Sequence, residues 1–122
     1  YEEGILANYA QIPDMLEQLC KETNEKLGNV HDILTVKLAA DFHYRFMHIK
    51  PFGAGNITVG LLMMNYIQMM FREPLIIIPG EDKAKYLVAI KMQKDTPTPE
   101  TFERFVGEEL LSQLRKEVIP RQ

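Results

Sequence analysis

Apolar residues recur along most of the chain every three or four positions, a spacing that predicts helices rather than strands. Ile12, Met15, Leu16, Leu19, Cys20 and Thr23 mark a first helix. Pro13 suits its first turn, and Asp14 and Glu17 suit its positive end. Gly28-Asn29 stops it. A second helix is expected from about Val30 to Ile49, lined by Ile33, Leu34, Leu38, Phe42, Tyr44, Phe46 and Met47. Ala39 and Ala40 permit close approach of a neighbour. Pro51 disfavours helical geometry at Lys50 and ends this helix. Residues 51–55, with Gly53 and Gly55, read as a tight turn, and Asn56 is the expected N-cap of a third helix, about 57–72. That helix is apolar nearly all round, so it is expected to be enclosed by other elements. Its methionines at 63, 64, 69 and 70 read as adaptable core filler.

Pro74-Leu75-Ile76-Ile77-Ile78-Pro79 has no evident partner strand and is expected to be a buried connector. A helix over about 82–94 turns Tyr86, Leu87, Ile90 and Met92 inward, and residues 95–99 form a linker. Thr98 is the expected cap of a last helix, about 99–118, which carries Phe102, Phe105, Val106, Leu110, Leu114 and Val118 on one stripe. The pattern describes an all-α domain of five helices around a central apolar helix, 57–72. Residues 1–11 form an irregular N-terminal segment, 12–118 the domain and 119–122 a tail.

Composition narrows the classes. A chain of 122 residues is one domain, able to bury a core without staples. Net charge is −3 and the cations are scattered, which gives no nucleic-acid surface. The single cysteine, Cys20, can form no internal disulfide, so a reducing, cytoplasmic setting is expected. Its place on the apolar side of the first helix predicts a buried, inert thiol. His43 and His48 are five apart, on different helix faces, and no Cys/His group has zinc spacing, so no metal site is expected. The helical part of the uncharged run between Lys50 and Arg72 is shorter than the roughly 20 residues that span a bilayer, so no membrane contact is expected. The chain opens on Tyr1 rather than Met, as an excised piece of a longer protein would.

The candidate chemistry lies at residues 50–58. A turn that opens a helix leaves backbone N–H groups unpaired, aimed at one spot and reinforced by the helix dipole. Such a spot holds a phosphate or a carboxylate. Lys50, at the end of the preceding helix, is also simply a cation at a favourable helix C-terminus.

The run Lys50-Pro51-Phe52-Gly53-Ala54-Gly55-Asn56-Ile57-Thr58-Val59-Gly60-Leu61 resembles the signature of the Fic/Doc (Fido) family, H-P-F-x-[D/E]-G-N-G-R-x-x-R. His43-Tyr44-Arg45-Phe46 before it and Leu62-Met63-Met64-Asn65 after it agree with the family's flanks. Pro74-Leu75-Ile76-Ile77-Ile78 and the helix around Tyr86 are similar to its continuation, so the resemblance spans about residues 12–118. It implies the Fic helical fold. It also implies a chemistry: the motif histidine acts as a general base on a target-protein hydroxyl, which attacks a nucleotide phosphate. Most members move AMP from ATP to Ser, Thr or Tyr. The acidic residue holds Mg²⁺, the Gly-Asn-Gly backbone cradles the phosphates, and the arginines bind the terminal phosphate.

At each of those positions this sequence departs from the pattern. Lys50 stands where the base would be, and a lysine ammonium donates hydrogen bonds but accepts none. Ala54 replaces the metal carboxylate and has no ligand atom. Ile57 replaces the middle glycine and adds bulk. Thr58 and Leu61 replace the arginines and their charge. The resemblance therefore implies a catalytically impaired Fic-family domain. It would retain weak anion or nucleotide binding, or serve as an interaction or regulatory module. The binding residues would be Gly55, Asn56, Ile57 and Thr58, with Tyr86 and Gln93 on the adenine side. The alternative is a divergent transferase that moves AMP or a phosphoryl group from ATP with Mg²⁺ to a protein hydroxyl. Lys50 would then be a phosphate clamp, with His48 the nearest substitute base. Expected partners are a protein target, a second copy or other domains of a longer chain. The family's inhibitory helix and target-binding β-hairpin commonly lie upstream of the region that corresponds to residue 12.

Overall fold

The computed structural model describes residues 10–28, 35–91 and 99–118. Among them the chain forms five α-helices and no strand, the all-α architecture that the spacing predicts. They are α1 (Ile12–Leu27), α2 (Thr35–Ile49), α3 (Asn56–Met70), α4 (Lys83–Lys91) and α5 (Pro99–Val118), with a 3₁₀ turn at Gly80–Asp82 leading into α4. The expected start of the second helix at Val30, the Thr98 cap, Met92, Gln93 and the 119–122 tail lie outside the described residues.

Helix α2 is the hub, and it packs against α1, α3 and α5. Leu38, Ala39, Ala40, Phe42, His43, Tyr44, Phe46 and Met47 are all buried on it. The two alanines are fully buried, as their small size suggests for close helix approach. Phe102 of α5 is also fully buried, and its ring lies 5.3 Å from His43, 6.1 Å from Tyr44, 6.1 Å from Tyr86 and 6.2 Å from Phe105. Each such aromatic side chain contributes about 1.5–3 kcal/mol by leaving water, so this cluster holds α2, α4 and α5 together.

The enclosed centre expected at helix 57–72 is therefore corrected. Helix α3 buries Gly60, Met64, Ile67 and Gln68, but Leu62, Tyr66, Met69 and Met70 are exposed. An apolar pattern tells what a helix tolerates around it, not what the chain has available to cover it. Of the four methionines expected as filler, only Met64 is fully buried and Met63 is half-buried.

Helix α1 packs on α2 by a narrow stripe centred on Leu19 and Thr23. Met15 and Cys20, both expected inward, are exposed. Cys20 lies one residue, or about 100° of helix rotation, beyond Leu19, and a stripe facing a single neighbour is too narrow to include it. Arg45 pairs with Glu22 across this contact and lies 3.8 Å from Asp41, which in turn lies 4.0 Å from Lys26. These partly solvated pairs are worth about 0–1 kcal/mol each, so burial rather than charge holds α1 in place.

The connector Pro74–Pro79 pairs with no strand, yet it alternates as a strand does. Ile76 is buried while Leu75 and Ile77 are exposed, so the expected burial holds only for every second residue. Carboxamides take the place of a partner strand. Asn65 accepts from Ile76 N–H (2.7 Å) and donates to its carbonyl (3.0 Å). Gln68 donates to the Pro74 carbonyl (2.9 Å). Gln113 of α5 donates to the Leu75 carbonyl (2.7 Å) and accepts from Ile77 N–H (3.2 Å).

Candidate functional site

The loop between α2 and α3 is built by two left-handed residues. Helix α2 ends at Ile49, and Lys50 takes φ +50° while its N–H bonds the Phe46 carbonyl (3.1 Å). The pre-proline position excludes a further helical turn, so the chain leaves through the left-handed region. Gly55 takes φ +85° and is the N-cap of α3, in place of the expected Asn56. Asn56 is the first helical residue and its side chain reaches backwards. It accepts from Phe52 N–H (3.0 Å) and donates to the Phe52 carbonyl (2.8 Å). Both faces of its amide are used to close the turn. The reason for the shift is conformational: a glycine reaches φ +85° at little cost, and an asparagine freed from capping can clamp the loop.

The first α-helical bond after the turn joins Val59 N–H to the Gly55 carbonyl (3.0 Å). The N–H groups of Asn56, Ile57 and Thr58 therefore have no partner within the helix. They lie at the positive end of α3, the kind of helix start that can hold an anion. Gly53, Ala54, Gly55 and Thr58 are exposed around it, as is Lys50. Ile57 is half-buried and packs against the core, which commits its side chain to the fold. Leu61 does the same one turn on.

The structure thus brings Lys50, Gly55, Asn56, Ile57 and Thr58 together in one loop and helix start. Tyr86 lies apart from this loop in sequence, on α4. Tyr86 is 2% exposed, and its hydroxyl is 2.6 Å from Nε2 of His43. Burial pushes this phenol well above its ordinary pKa. Tyr86 is a core residue of α4, packed against α2 and α5. Gln93 lies outside the described residues.

Ala54 presents a methyl group to solvent where the family has a carboxylate, and among the described residues no three His, Cys, Asp or Glu side chains gather as a metal cluster. The residues present do not fit a Mg²⁺ ion held as the family holds it. His48, the substitute base, is exposed and turned along its own helix. Its Nδ1 donates to the Tyr44 carbonyl (2.8 Å) and its ring lies 4.3 Å from the Tyr44 ring. It borders a groove of about 570 Å³ between α1 and α2, lined also by Asp14, Met15, Gln18, Arg45 and Ile49.

Sequence reasoning placed His43 only in the motif's flank and outside any metal pair, with no role in the core. This histidine is fully buried, bonded to Tyr86, and stacked on Phe102. Burial lowers its pKa from 6.5 to about 4. The Gly60 backbone lies close enough to oppose the shift a little, but Nδ1 has no partner of hydrogen-bonding geometry. A charged ring would need an acceptor there. The signal was present in the sequence as a histidine on the densest apolar stretch of α2, with Gly60 in the following helix.

The fold and loop together define a Fic-type helical domain. The Fic/DOC family model matches residues 2–68, more than half of the chain, and the chain belongs to that family. Its curated relatives are proteins called "Protein adenylyltransferase Fic". The relative from Drosophila erecta is 31% identical over 85 residues, 70% of this chain and 16% of that protein. Those from Drosophila virilis and Drosophila melanogaster are each 34% identical over 73 residues, 60% of this chain and 15% of each relative. The chain spans about a sixth of the length of these relatives. No solved structure gives a significant match. No helix among the described residues is long and apolar enough to cross a membrane.

Proposed function

We propose that this chain is a catalytically impaired Fic-family domain whose loop keeps a weak anion or nucleotide site and whose working role is interaction or regulation. The observation that carries the reading is the loop itself. The N–H groups of Asn56, Ile57 and Thr58 lack helical partners there, which supports an anion site, while the side chains in the loop and first turns are Lys50, Ala54, Thr58 and Leu61. An exposed lysine ammonium offers protons and takes none. Ala54 has no donor for a metal, and Leu61 is packed on the core rather than directed at a phosphate. An anion binding there would meet three backbone N–H groups and one ammonium, with no base to activate a hydroxyl.

The test is calorimetry with ATP, ADP and AMP, each with and without Mg²⁺, beside incubation with labelled ATP and cell lysate. The reading expects a weak, metal-independent signal and no label on any protein. Transfer of label that depends on Mg²⁺ would overturn it in favour of a divergent transferase of the kind its relatives' names describe.

The transferase reading has one observation in its favour: Lys50 is exposed at the mouth of the loop and held at φ +50°. As a clamp on a phosphate it would supply part of the charge that the arginines lack. An unchanged nucleotide affinity in Lys50→Ala would remove that support. Under either reading we place the protein in the cytoplasm, with a protein target or other domains of a longer chain as partners.

A further inference from the structure

We propose that the groove between α1 and α2 receives an arginine side chain presented by a partner protein. The groove has a volume of about 570 Å³, within the roughly 300–1,000 Å³ of sites that enclose a ligand. Its apolar lining is Met15, Tyr44 and Ile49, and its polar lining is Asp14, Gln18, Arg45 and His48. Met15 is 40% exposed, an apolar side chain left open by a helix that packs through a narrow stripe. The site stands apart from the loop at residues 50–58 and does not depend on an anion binding there.

The polar groups still available in the groove are mainly acceptors, with one uncompensated negative charge. Arg45, the lining's permanent cation, is committed to Glu22 and lies 3.8 Å from Asp41. Gln18 uses an amide N–H on Glu22 and keeps its Oε1. His48 uses its Nδ1–H on the Tyr44 carbonyl, so Nε2 of the neutral ring carries a lone pair. The Asp14 carboxylate makes no ion pair among the described residues. A flat cation rich in donors answers this lining. A guanidinium carries five N–H donors in one plane and stacks on aromatic rings. The rings of Tyr44 and His48, 4.3 Å apart, supply that surface. A lysine ammonium is a compact point charge that matches it less well, and an anion would meet Asp14 with no uncommitted guanidinium to answer it. Residues 1–9, which lead into α1, contain no lysine or arginine, so that segment has no such side chain to place in the groove. Met15 and Ile49 offer apolar contact to the neighbours of an arginine in a peptide, which a free guanidinium lacks.

The experiment is an NMR titration of the 122-residue chain with the peptide acetyl-Leu-Arg-Leu-amide, beside the same peptide with lysine or uncharged citrulline in place of arginine. Saturable shifts centred on Met15, Gln18, Tyr44, His48 and Ile49 are expected, with the lysine and citrulline peptides weaker by roughly 3-fold or more. Asp14→Asn should weaken the arginine peptide by roughly 2–5-fold. His48→Phe keeps a ring but removes the acceptor and should act in the same direction. Glu17→Gln, at an exposed carboxylate of α1 outside the groove, should change nothing. Helical circular dichroism should be the same in all three variants. No saturable shift, shifts centred elsewhere, equal binding of the three peptides, or equal effects at 14 and 17 would each overturn the proposal. Methylguanidinium binding as tightly as the arginine peptide would overturn the assignment to a partner protein.

Discussion

His43 and Gly60 compete for one volume: a Cβ built on Gly60 would lie 2.8 Å from Cε1 and 2.9 Å from Nδ1 of the buried imidazole. The ring cannot retreat, because Phe102 stacks on one side and the Tyr86 hydroxyl holds Nε2. In an unconstrained helix, Gly→Ala gains about 1 kcal/mol. Overpacking of a core costs about 1–3 kcal/mol, and here the backbone of α3 must move to relieve it. Gly60→Ala is therefore expected to destabilise by about 1–2 kcal/mol. In a His43→Ser background the same change should become neutral or stabilising, which a double-mutant cycle by urea denaturation measures.

The same histidine sets a pH dependence. Its pKa is about 4 in the fold against 6.5 ordinarily, mainly because burial disfavours the charged ring. Above 6.5 both folded and unfolded rings are neutral and the full stability is present. Between 6.5 and 4 the unfolded chain takes up a proton that the folded one refuses, so stability falls as pH falls. Below about 4 this contribution stops changing. The gap corresponds to about 3 kcal/mol, and His43→Gln should flatten the profile of urea midpoints across that window.

Asn65 is expected to matter more than its half-buried position suggests. Asn65→Leu keeps the shape but strips both partners from the backbone of Ile76, whose side chain is 2% exposed. Leaving such groups unsatisfied costs about 1–3 kcal/mol. Hydrogen exchange should show the Ile76 amide opening faster, with little change in α1.

Gly53 and Gly55 separate space from strain. A Cβ at either position meets nothing within 4 Å, but only Gly55 has positive φ. Gly55→Ala should cost about 1–2 kcal/mol and disorder the start of α3, while Gly53→Ala should be close to neutral.

The family's chemistry can be rebuilt in part. Lys50→His, Ala54→Asp and Thr58→Arg fall on exposed positions and should leave stability within about 0.5 kcal/mol. Ile57→Gly and Leu61→Arg remove packing against the core and should together cost several kcal/mol. The five changes combined should raise nucleotide affinity in calorimetry. A folded quintuple variant with no gain would count against the alignment of this loop with the family motif.

Helix existence and most inward faces were readable because Leu19, Phe42, Phe102 and Val106 follow a single 3.6-residue period and are buried accordingly. The misreadings share one cause. Cys20, Met69 and Met70 are apolar and in phase, yet burial also needs a neighbour, and periodicity says nothing about which helices lie where. At the loop, the residue types showed a turn and a helix start. They did not show that Gly55 would cap and Asn56 would clamp, because that division depends on φ at two adjacent positions. The contact of Tyr86 with His43 was not legible either: the two are 43 residues apart, and only the packed fold brings them together.

The carboxamide grip on residues 74–78 has a consequence for the chain's life among its own copies. Leu-Ile-Ile-Ile is a strongly β-prone run, the kind that nucleates cross-β assembly when its backbone is free. Pro74 and Pro79 bracket it and cannot donate, and Asn65, Gln68 and Gln113 engage its carbonyls and N–H groups from α3 and α5. The helices thereby act as gatekeepers against fibril formation, a duty that otherwise falls to charges beside a strand. Gln113 engages the segment from its exposed side, so Gln113→Leu would free the Leu75 carbonyl and the Ile77 N–H for pairing with another chain.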